Sequence, residues 1–197
     1  MDKGLAIYDT WRNADGLTPD QPEMWNFIDW GYHADTAVLG GVSAILNMLI
    51  AAAYKRAAFL HEAAQNCARA AELKEKSRQM VAAIIRRFWL ADQKMFYDCT
   101  EPPLRKRSFS QHPHAVGLHF GLFDKPQRST ALDALLDPSL VQAEFYYQHF
   151  VLSALARHGR AAPALAIVRD RWGRMAREGS RTVWEAGGGP PAFNGCG

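Results

Sequence analysis

The chain has 197 residues, of which 48% are hydrophobic and 22% are charged, as is typical of one folded globular domain rather than of a disordered or fibrous protein. Its net charge of +3 and short basic clusters argue against a nucleic-acid-binding protein, which concentrates basic residues on one face. Three cysteines without a C-x-x-C spacing indicate neither a disulfide framework nor a zinc site.

The N-terminal thirty residues are predicted to be irregular, with helical structure beginning after Trp30. The residues that break this segment are turn formers: Asn13, Asp15, Gly16, Pro19 and Pro22. The chain does not open with a charged segment followed by an apolar run, so no secretion signal is expected. The cellular location stays open on this evidence, with the cytoplasm slightly favoured.

From about residue 36 the apolar residues recur at steps of three and four, which predicts helices. We expect about six helices in three antiparallel hairpins. Their approximate ranges are 36–54 with 68–89, 111–121 with 127–136, and 143–158 with 161–177. Glycine and proline supply the breaks at 121–126 and 159–163. Almost no alternating run of β-branched residues favours strands.

The stretch at residues 37–54 is apolar enough to raise the question of a membrane span, which needs ~20 predominantly apolar residues. It contains polar and glycine residues, and Lys55 and Arg56 follow it at once. A buried hairpin helix is the favoured interpretation. Helix pairs that are apolar on two sides predict a toroid or a solenoid, and internal repetition is too weak to choose between them.

The first candidate site residue is Asp29, which lies among aromatic rings in the W-N-F-I-D-W segment at residues 25–30. Aromatic faces stack on sugar rings, and a carboxylate accepts hydrogen bonds from sugar hydroxyls, so the cluster suits a sugar site. The alternative is a helix cap formed by Asp29 or Asp35. The sequence pattern leaves both open.

The second candidate is Glu185, which follows Trp184 and precedes a glycine-rich segment, A-G-G-G-P-P. Glycines let the backbone approach a ligand closely, and a neighbouring ring can raise the proton affinity of a carboxylate. Such a group suits a general base that activates water. The alternative is a surface glutamate in a flexible tail.

Histidines follow in the third candidate segment, S-F-S-Q-H-P-H at residues 108–114, and again at His119. A metal site is not favoured, because positions 112, 114 and 119 do not share one helical face and no acidic cluster accompanies them. Helix-start and hydrogen-bonding roles are expected for Ser110 and His112. A hydrolase pair of Ser110 and His112 is weakly supported, since no strained nucleophile turn surrounds it.

Taken in chain order, these motifs resemble the catalytic helical domain of family 78 α-L-rhamnosidases. The motifs are F-I-D-W at 27–30, F-W with Y-D at 88–98, S-Q-H at 110–112, the Y-Y helix ending in V-L-S-A-L at 146–155, W-G-x-M at 172–175 and T-x-W-E at 182–185. The resemblance covers nearly all 197 residues. It rests on the order and spacing of the motifs rather than on any single one.

This resemblance implies an all-α fold whose antiparallel helical hairpins form about half of an (α/α)6 toroid. The chain is then a partial six-hairpin domain over residues 1–197, with an N-terminal loop region at 1–35, helical hairpins at 36–178 and an active-site loop at 179–197.

The implied reaction is hydrolysis of terminal α-L-rhamnosyl bonds with inversion, and Glu185 matches the general base of the family. The residues expected to contact substrate are Asp29, Trp30, Trp184, Trp25 and His112. No metal or organic cofactor is implied. The expected partner is a rhamnose-containing glycoside or polysaccharide, with no nucleic acid or membrane, and the oligomeric state is open.

The resemblance also places the general acid, accessory β-sandwich domains and a later histidine-bearing loop outside this chain. We therefore expect the isolated chain to have little or no hydrolase activity and to expose apolar surface. Two other functions stay open. One is a helical-toroid glycosidase acting on fucosides, trehalose or glucosides, and the other is a non-catalytic helical fragment or interaction module.

Overall fold

A computed structural model describes residues 2–21, 23, 27–29, 40–101 and 108–184 of the chain. The helices are α1 (Asp2–Thr10), α2 (Ala44–Ala63), α3 (Cys67–Phe88), α4 (Gln111–His119), α5 (Lys125–Ala134), α6 (Gln148–Arg157) and α7 (Ala161–Arg177). The strands are β1 (Gly40–Ser43), β2 (Trp89–Leu90), β3 (Met95–Phe96) and β4 (Cys99–Glu101). The three predicted hairpins are confirmed as α2 with α3, α4 with α5, and α6 with α7.

The helices α2, α4 and α6 form an inner row in which α4 packs against both of the others. Because α4 lies between the other two inner helices, every one of its residues from Gln111 to Leu118 is buried. The helices α3, α5 and α7 form an outer row, each packed on the inner helix before it. They are more polar, and α3 buries a helical stripe that includes Leu73, Met80, Ile84 and Phe88.

Because the members of each hairpin are antiparallel, the three inner helices point the same way and begin at the same end. We call this end, which carries residues 40–43, 97–101, 108–110 and 137–147, the loop end. Backbone hydrogen bonds join these segments, from Ala44 to the Asp98 carbonyl at 2.8 Å and from Gln111 to the Val141 carbonyl at 3.0 Å. The strand β1 also pairs antiparallel with β4.

Serine residues form the N-caps of two inner helices, α2 and α4, at the loop end. The Ser43 hydroxyl accepts a hydrogen bond from the Leu46 amide at 3.3 Å, and the Ser110 hydroxyl accepts one from the His112 amide at 3.2 Å. Both satisfy amides that the helix itself leaves without partners. The helix-start role predicted for Ser110 is therefore confirmed.

A glycine allows the close packing of the second hairpin. A Cβ atom at Gly117, in the middle of α4, would lie only 1.9 Å from the Phe123 ring. The Phe123 ring in turn stacks on Phe96 of β3, with ring centroids 4.9 Å apart. Only a residue without a side chain fits at position 117, and this fixes the separation between α4 and the segment that leads to α5.

The prediction of an irregular N-terminus is wrong for residues 2–10, which form α1. This short helix buries Leu5 and is held by contacts with distant residues. Asp2 pairs with Arg69 at 3.1 Å, and Asp9 pairs with Lys76 at 2.8 Å. The predicted turn formers all lie beyond the end of this helix, so they do not oppose it.

Two helices also begin later than predicted. The helix α2 begins at Ala44 rather than near residue 36, because residues 40–43 extend to pair with β4, while residues 36–39 lie outside the described ranges. The helix α6 begins at Gln148 rather than at 143, because the amides of Ala143 and Glu144 bond to the side chains of Gln111 and Asp29 instead.

The apolar stretch that begins the first hairpin is buried inside the fold. Ten residues of α2 are buried, as expected for an inner helix. Across the described ranges, every helix falls short of the length or apolar character that crossing a bilayer requires.

Candidate functional site

The carboxylate of Asp29 lies at the loop end and is 2% exposed. Its Oδ2 atom accepts a hydrogen bond from Nε2 of His112 at 2.7 Å and another from the Glu144 amide at 2.7 Å. A carboxylate can only accept, so Nε2 of His112 carries the proton. These two bonds hold the segment at residues 27–29 against the start of α4 and the turn before α6.

His112 is itself held by an aromatic neighbour. The Tyr147 ring packs against the imidazole with centroids 4.5 Å apart. Tyr147 is buried, and this burial, together with the negative charge of Asp29, raises the pKa of its hydroxyl well above the ordinary value. The phenol therefore stays neutral and packs against one side of the imidazole.

Ser110 and His112 engage separate carboxylates. The Ser110 hydroxyl donates to Oδ1 of Asp98 at 2.7 Å, whereas the His112 ring bonds to Asp29. Asp98 is fully buried and also accepts the Ser108 hydroxyl at 2.6 Å. These contacts give both residues the hydrogen-bonding roles that the sequence predicts for them, and they do not build a serine nucleophile.

His114 is a structural histidine. Its Nδ1 atom donates to the Ser110 carbonyl at 2.8 Å, and its Nε2 atom accepts from the Phe96 amide at 3.2 Å. Since both ring nitrogens are engaged by backbone, the neutral form fits and the charged form does not. Complete burial lowers the pKa of His114 to about 4. Within the described part of the chain, no three histidine, cysteine or acidic side chains are grouped as metal ligands.

Glu144 connects the Asp29 cluster to the outer helix α7. Its Oε2 atom accepts a hydrogen bond from Nη2 of Arg171 at 2.7 Å. The same guanidinium donates to the Ala143 carbonyl and lies over the Phe145 ring, with Cζ 4.7 Å from the ring centroid. The backbone of Glu144 thus holds Asp29, while its side chain is held by α7.

Glu144 and Trp184 line the same cavity, which has a volume of about 420 Å³. The cavity lies between the N-terminal part of α6 and the C-terminal part of α7, and it combines aromatic, amide and charged groups. Its lining comprises Gln111, Gln142, Glu144, Phe145, Gln148, Ile167, Asp170, Arg171, Arg174 and Trp184. Its size and mixed lining suit a small polar ligand with apolar faces.

Trp184 is held firmly at the edge of this cavity. It is 3% exposed, its Nε1 atom donates to the Ser180 hydroxyl at 3.0 Å, and the Arg174 guanidinium lies 5.5 Å from its ring centroid. This fixes the end of the chain segment that leads to Glu185.

The structure thus places three predicted site residues, Asp29, His112 and Trp184, at the loop end. The other predicted residues, Trp25, Trp30 and Glu185, lie outside the described residues. The sequence analysis did not select Glu144 or Arg171. The available signals were an acidic residue two positions before the Y-Y pair and a basic residue directly before W-G-x-M.

Comparison with known protein families identifies the family to which the chain is similar. Residues 6–188 match the family described as bacterial alpha-L-rhamnosidase 6 hairpin glycosidase domain. No curated protein matches the chain.

Two solved structures share the fold. One is the GH78 family rhamnosidase of Bacillus sp. GL1, with a TM-score of 0.80 and 21% identity over 92% of this chain and 19% of that protein. The other is the rhamnosidase from Klebsiella oxytoca with rhamnose bound, with a TM-score of 0.78 and 23% identity over 97% of this chain and 35% of that protein. The chain therefore spans about a fifth and a third of these two proteins.

The hairpin architecture agrees with this match, and the expected all-α six-hairpin fold class is confirmed. The family match covers nearly the whole length of the sequence. This chain belongs to the bacterial α-L-rhamnosidase six-hairpin glycosidase domain family.

Proposed function

We propose that this chain is part of an inverting glycoside hydrolase that cleaves terminal α-L-rhamnosyl bonds, with Glu185 as the general base. Membership of the rhamnosidase family supports the reaction class. A solved relative named as a rhamnosidase with rhamnose bound supports the choice of sugar.

The observation that carries the proposal is the position of Glu144 between two predicted site residues. Its amide holds Asp29 at 2.7 Å, and its side chain lines a cavity together with Trp184. Glu185 lies outside the described residues but follows Trp184 directly in the sequence. Asp29 of the early aromatic segment and Trp184 of the late T-x-W-E motif therefore lie at the same end of the inner helices.

Inversion needs a base that activates water and an acid that protonates the leaving oxygen, with the two carboxyl groups roughly 6.5–9.5 Å apart. Asp29 does not suit the acid role, because it accepts two N–H bonds as a carboxylate and is 2% exposed. We assign Asp29 to support of the sugar pocket rather than to proton donation.

The test is hydrolysis of 4-nitrophenyl α-L-rhamnopyranoside by the protein encoded by the complete reading frame. We expect turnover, with the β anomer of rhamnose appearing first in ¹H NMR spectra, because inversion reverses the anomeric configuration. Glu185→Gln should reduce kcat by at least about a hundredfold, as expected for loss of a general base. Glu75→Gln, which alters an exposed ion pair with Arg78 on the outer helix α3, is the matched control and should retain activity.

Other outcomes would select the alternatives. Turnover of an aryl fucoside or glucoside in place of the rhamnoside would reassign the substrate. Absence of hydrolysis by the complete protein, together with no increase in its melting temperature on adding sugars, would indicate a non-catalytic module. Retention of full activity by Glu185→Gln would remove Glu185 from the base role.

A further inference from the structure

We propose that the ion pair of Glu144 and Arg171 is a subsite that binds two neighbouring hydroxyl groups of a pyranose, a vicinal diol. The identity of the sugar rests on the proposed function. The assignment of the diol to this pair rests on the geometry of the cavity between α6 and α7.

The first argument is the match in spacing between the protein atoms and the ligand oxygens. Oε2 of Glu144 and Nη2 of Arg171 are 2.7 Å apart. Neighbouring hydroxyl oxygens on a pyranose are separated by about 2.8 Å, close to the length of an O–H···O hydrogen bond. The carboxylate can therefore accept from one hydroxyl while the guanidinium donates to the next.

The second argument is access. The side chains of Arg171 and Glu144 are 19% and 16% exposed, so they are held in place and still open toward the cavity. Arg171 uses part of its donor set on Glu144 and the Ala143 carbonyl, and a guanidinium has five N–H groups. The pair can therefore bind a ligand without giving up its own contacts.

The third argument is the rest of the cavity lining. Trp184 and Phe145 contribute apolar ring atoms to the lining of the same cavity. Gln148 is 1% exposed, and its Oε1 atom has no hydrogen-bond partner among the described residues. A buried acceptor of this kind costs stability unless something donates to it. A third sugar hydroxyl would supply that donor.

A purely structural role is the competing explanation, since Arg171 also ties the turn before α6 to α7. The two explanations differ in how affinity depends on the ligand. If the pair is only a structural clamp, replacing it should change the affinity for every ligand by the same factor. If it is a diol subsite, replacing it should reduce the affinity for a free diol more than the affinity for a blocked one.

The experiment titrates the 197-residue chain with methyl α-L-rhamnopyranoside and with its 3-O-methyl ether, followed by ¹H–¹⁵N NMR. Methylation at O3 blocks both vicinal diols of this sugar. The wild-type chain should bind the free sugar about tenfold more tightly than the ether, because hydrogen bonds to charged groups are worth this much or more. In Glu144→Gln this preference should fall to about twofold or less, because the diol loses its only charged acceptor in the proposed pair.

Two further variants keep the result interpretable. Arg171→Lys retains the charge but loses the planar fork, so it should also reduce the preference for the free diol. Glu75→Gln breaks an exposed ion pair with Arg78 on α3 and should leave the preference unchanged. Melting temperatures show whether each variant is folded, and Arg171→Lys decides the question if Glu144→Gln is not.

Failure of this proposal is distinguishable from failure of the rhamnosidase function. Rhamnoside binding with an unchanged diol preference in Glu144→Gln overturns the subsite alone. Binding of methyl α-D-mannopyranoside in place of the rhamnoside, with the same dependence on Glu144, keeps the subsite and overturns the choice of rhamnose. Absence of binding by both sugars overturns the subsite.

Discussion

The imidazole of His112 hydrogen-bonds to the carboxylate of Asp29 at 2.7 Å across 83 residues of sequence, and both side chains are buried. This bond ties residues 27–29 to the first turn of the central inner helix. Together with the hydrogen bond from the Glu144 amide to the same carboxylate oxygen, it holds these residues at the loop end.

Replacing His112 by Leu should lower the free energy of unfolding by about 3 kcal/mol or more, because a buried carboxylate loses one of its donors. Urea denaturation measures this change. The matched control is His149→Leu on α6, where the histidine is exposed and where we expect a change within about 0.5 kcal/mol. Equal effects of the two substitutions would contradict a special role for the pair.

Acid should destabilise the chain through His114. The pKa of this histidine is about 4 in the folded state against an ordinary value of 6.5, so the folded state binds fewer protons than the unfolded state between these values. The contribution of His114 to the free energy of unfolding is therefore fully present above pH 6.5 and is lost as the pH falls toward 4. The loss attributable to this group is about 3 kcal/mol.

The measurement for His114 compares the free energy of unfolding of the wild type and His114→Gln from pH 7 to pH 4. The variant cannot take up this proton, so its curve should fall less steeply. Parallel curves would show that the acid sensitivity arises from other groups.

Substituting Ala for Gly117 should destabilise the second hairpin. Alanine is the better helix former by about 1 kcal/mol, but its Cβ atom would lie 1.9 Å from the Phe123 ring. Overpacking of this kind costs about 1–3 kcal/mol, so the net change should be unfavourable in chemical denaturation.

The substitution Gly4→Ala provides the control, because nothing lies within 4 Å of a Cβ atom there. It should leave stability unchanged or slightly higher. Phe123→Leu combined with Gly117→Ala should recover part of the loss, and no recovery would mean that the clash is not the cause.

The outer surface of α7 should promote association at high concentration. Leu165 is 54% exposed and Val168 is 36% exposed, and their spacing of three places them on the same face of the helix. Light scattering should show a mass that increases with concentration, and this increase should be smaller in the variant with Ser at both positions. Ala166→Ser, at another exposed position of α7, should not change it.

Local sequence patterns were sufficient to predict the helical hairpins. Spacing such as that of Leu73, Met80, Ile84 and Phe88 marks one buried face within a single helix, and that information is local. The start of α4 was likewise predictable, since Ser110 caps the helix that follows it directly. The order of the short motifs was also sufficient to indicate the family, as the match over residues 6–188 confirms.

The partners within the candidate site could not be predicted in this way. Asp29 binds the backbone amide of Glu144 across 115 residues, and a backbone amide leaves no mark in the side-chain sequence. The pairing of Glu144 with Arg171 depends on how the third hairpin closes, and the formation of α1 depends on ion pairs with α3. These contacts join segments that are far apart in the chain.

The amino-acid sequence by itself determined the six helices of the three hairpins and which family the chain resembles. Only the tertiary structure decided that Asp29, His112, Glu144 and Trp184 gather at one end of those helices. The physical reason is that helix periodicity depends on neighbours three or four residues away, whereas a binding site is assembled by packing that brings together residues with no local relationship.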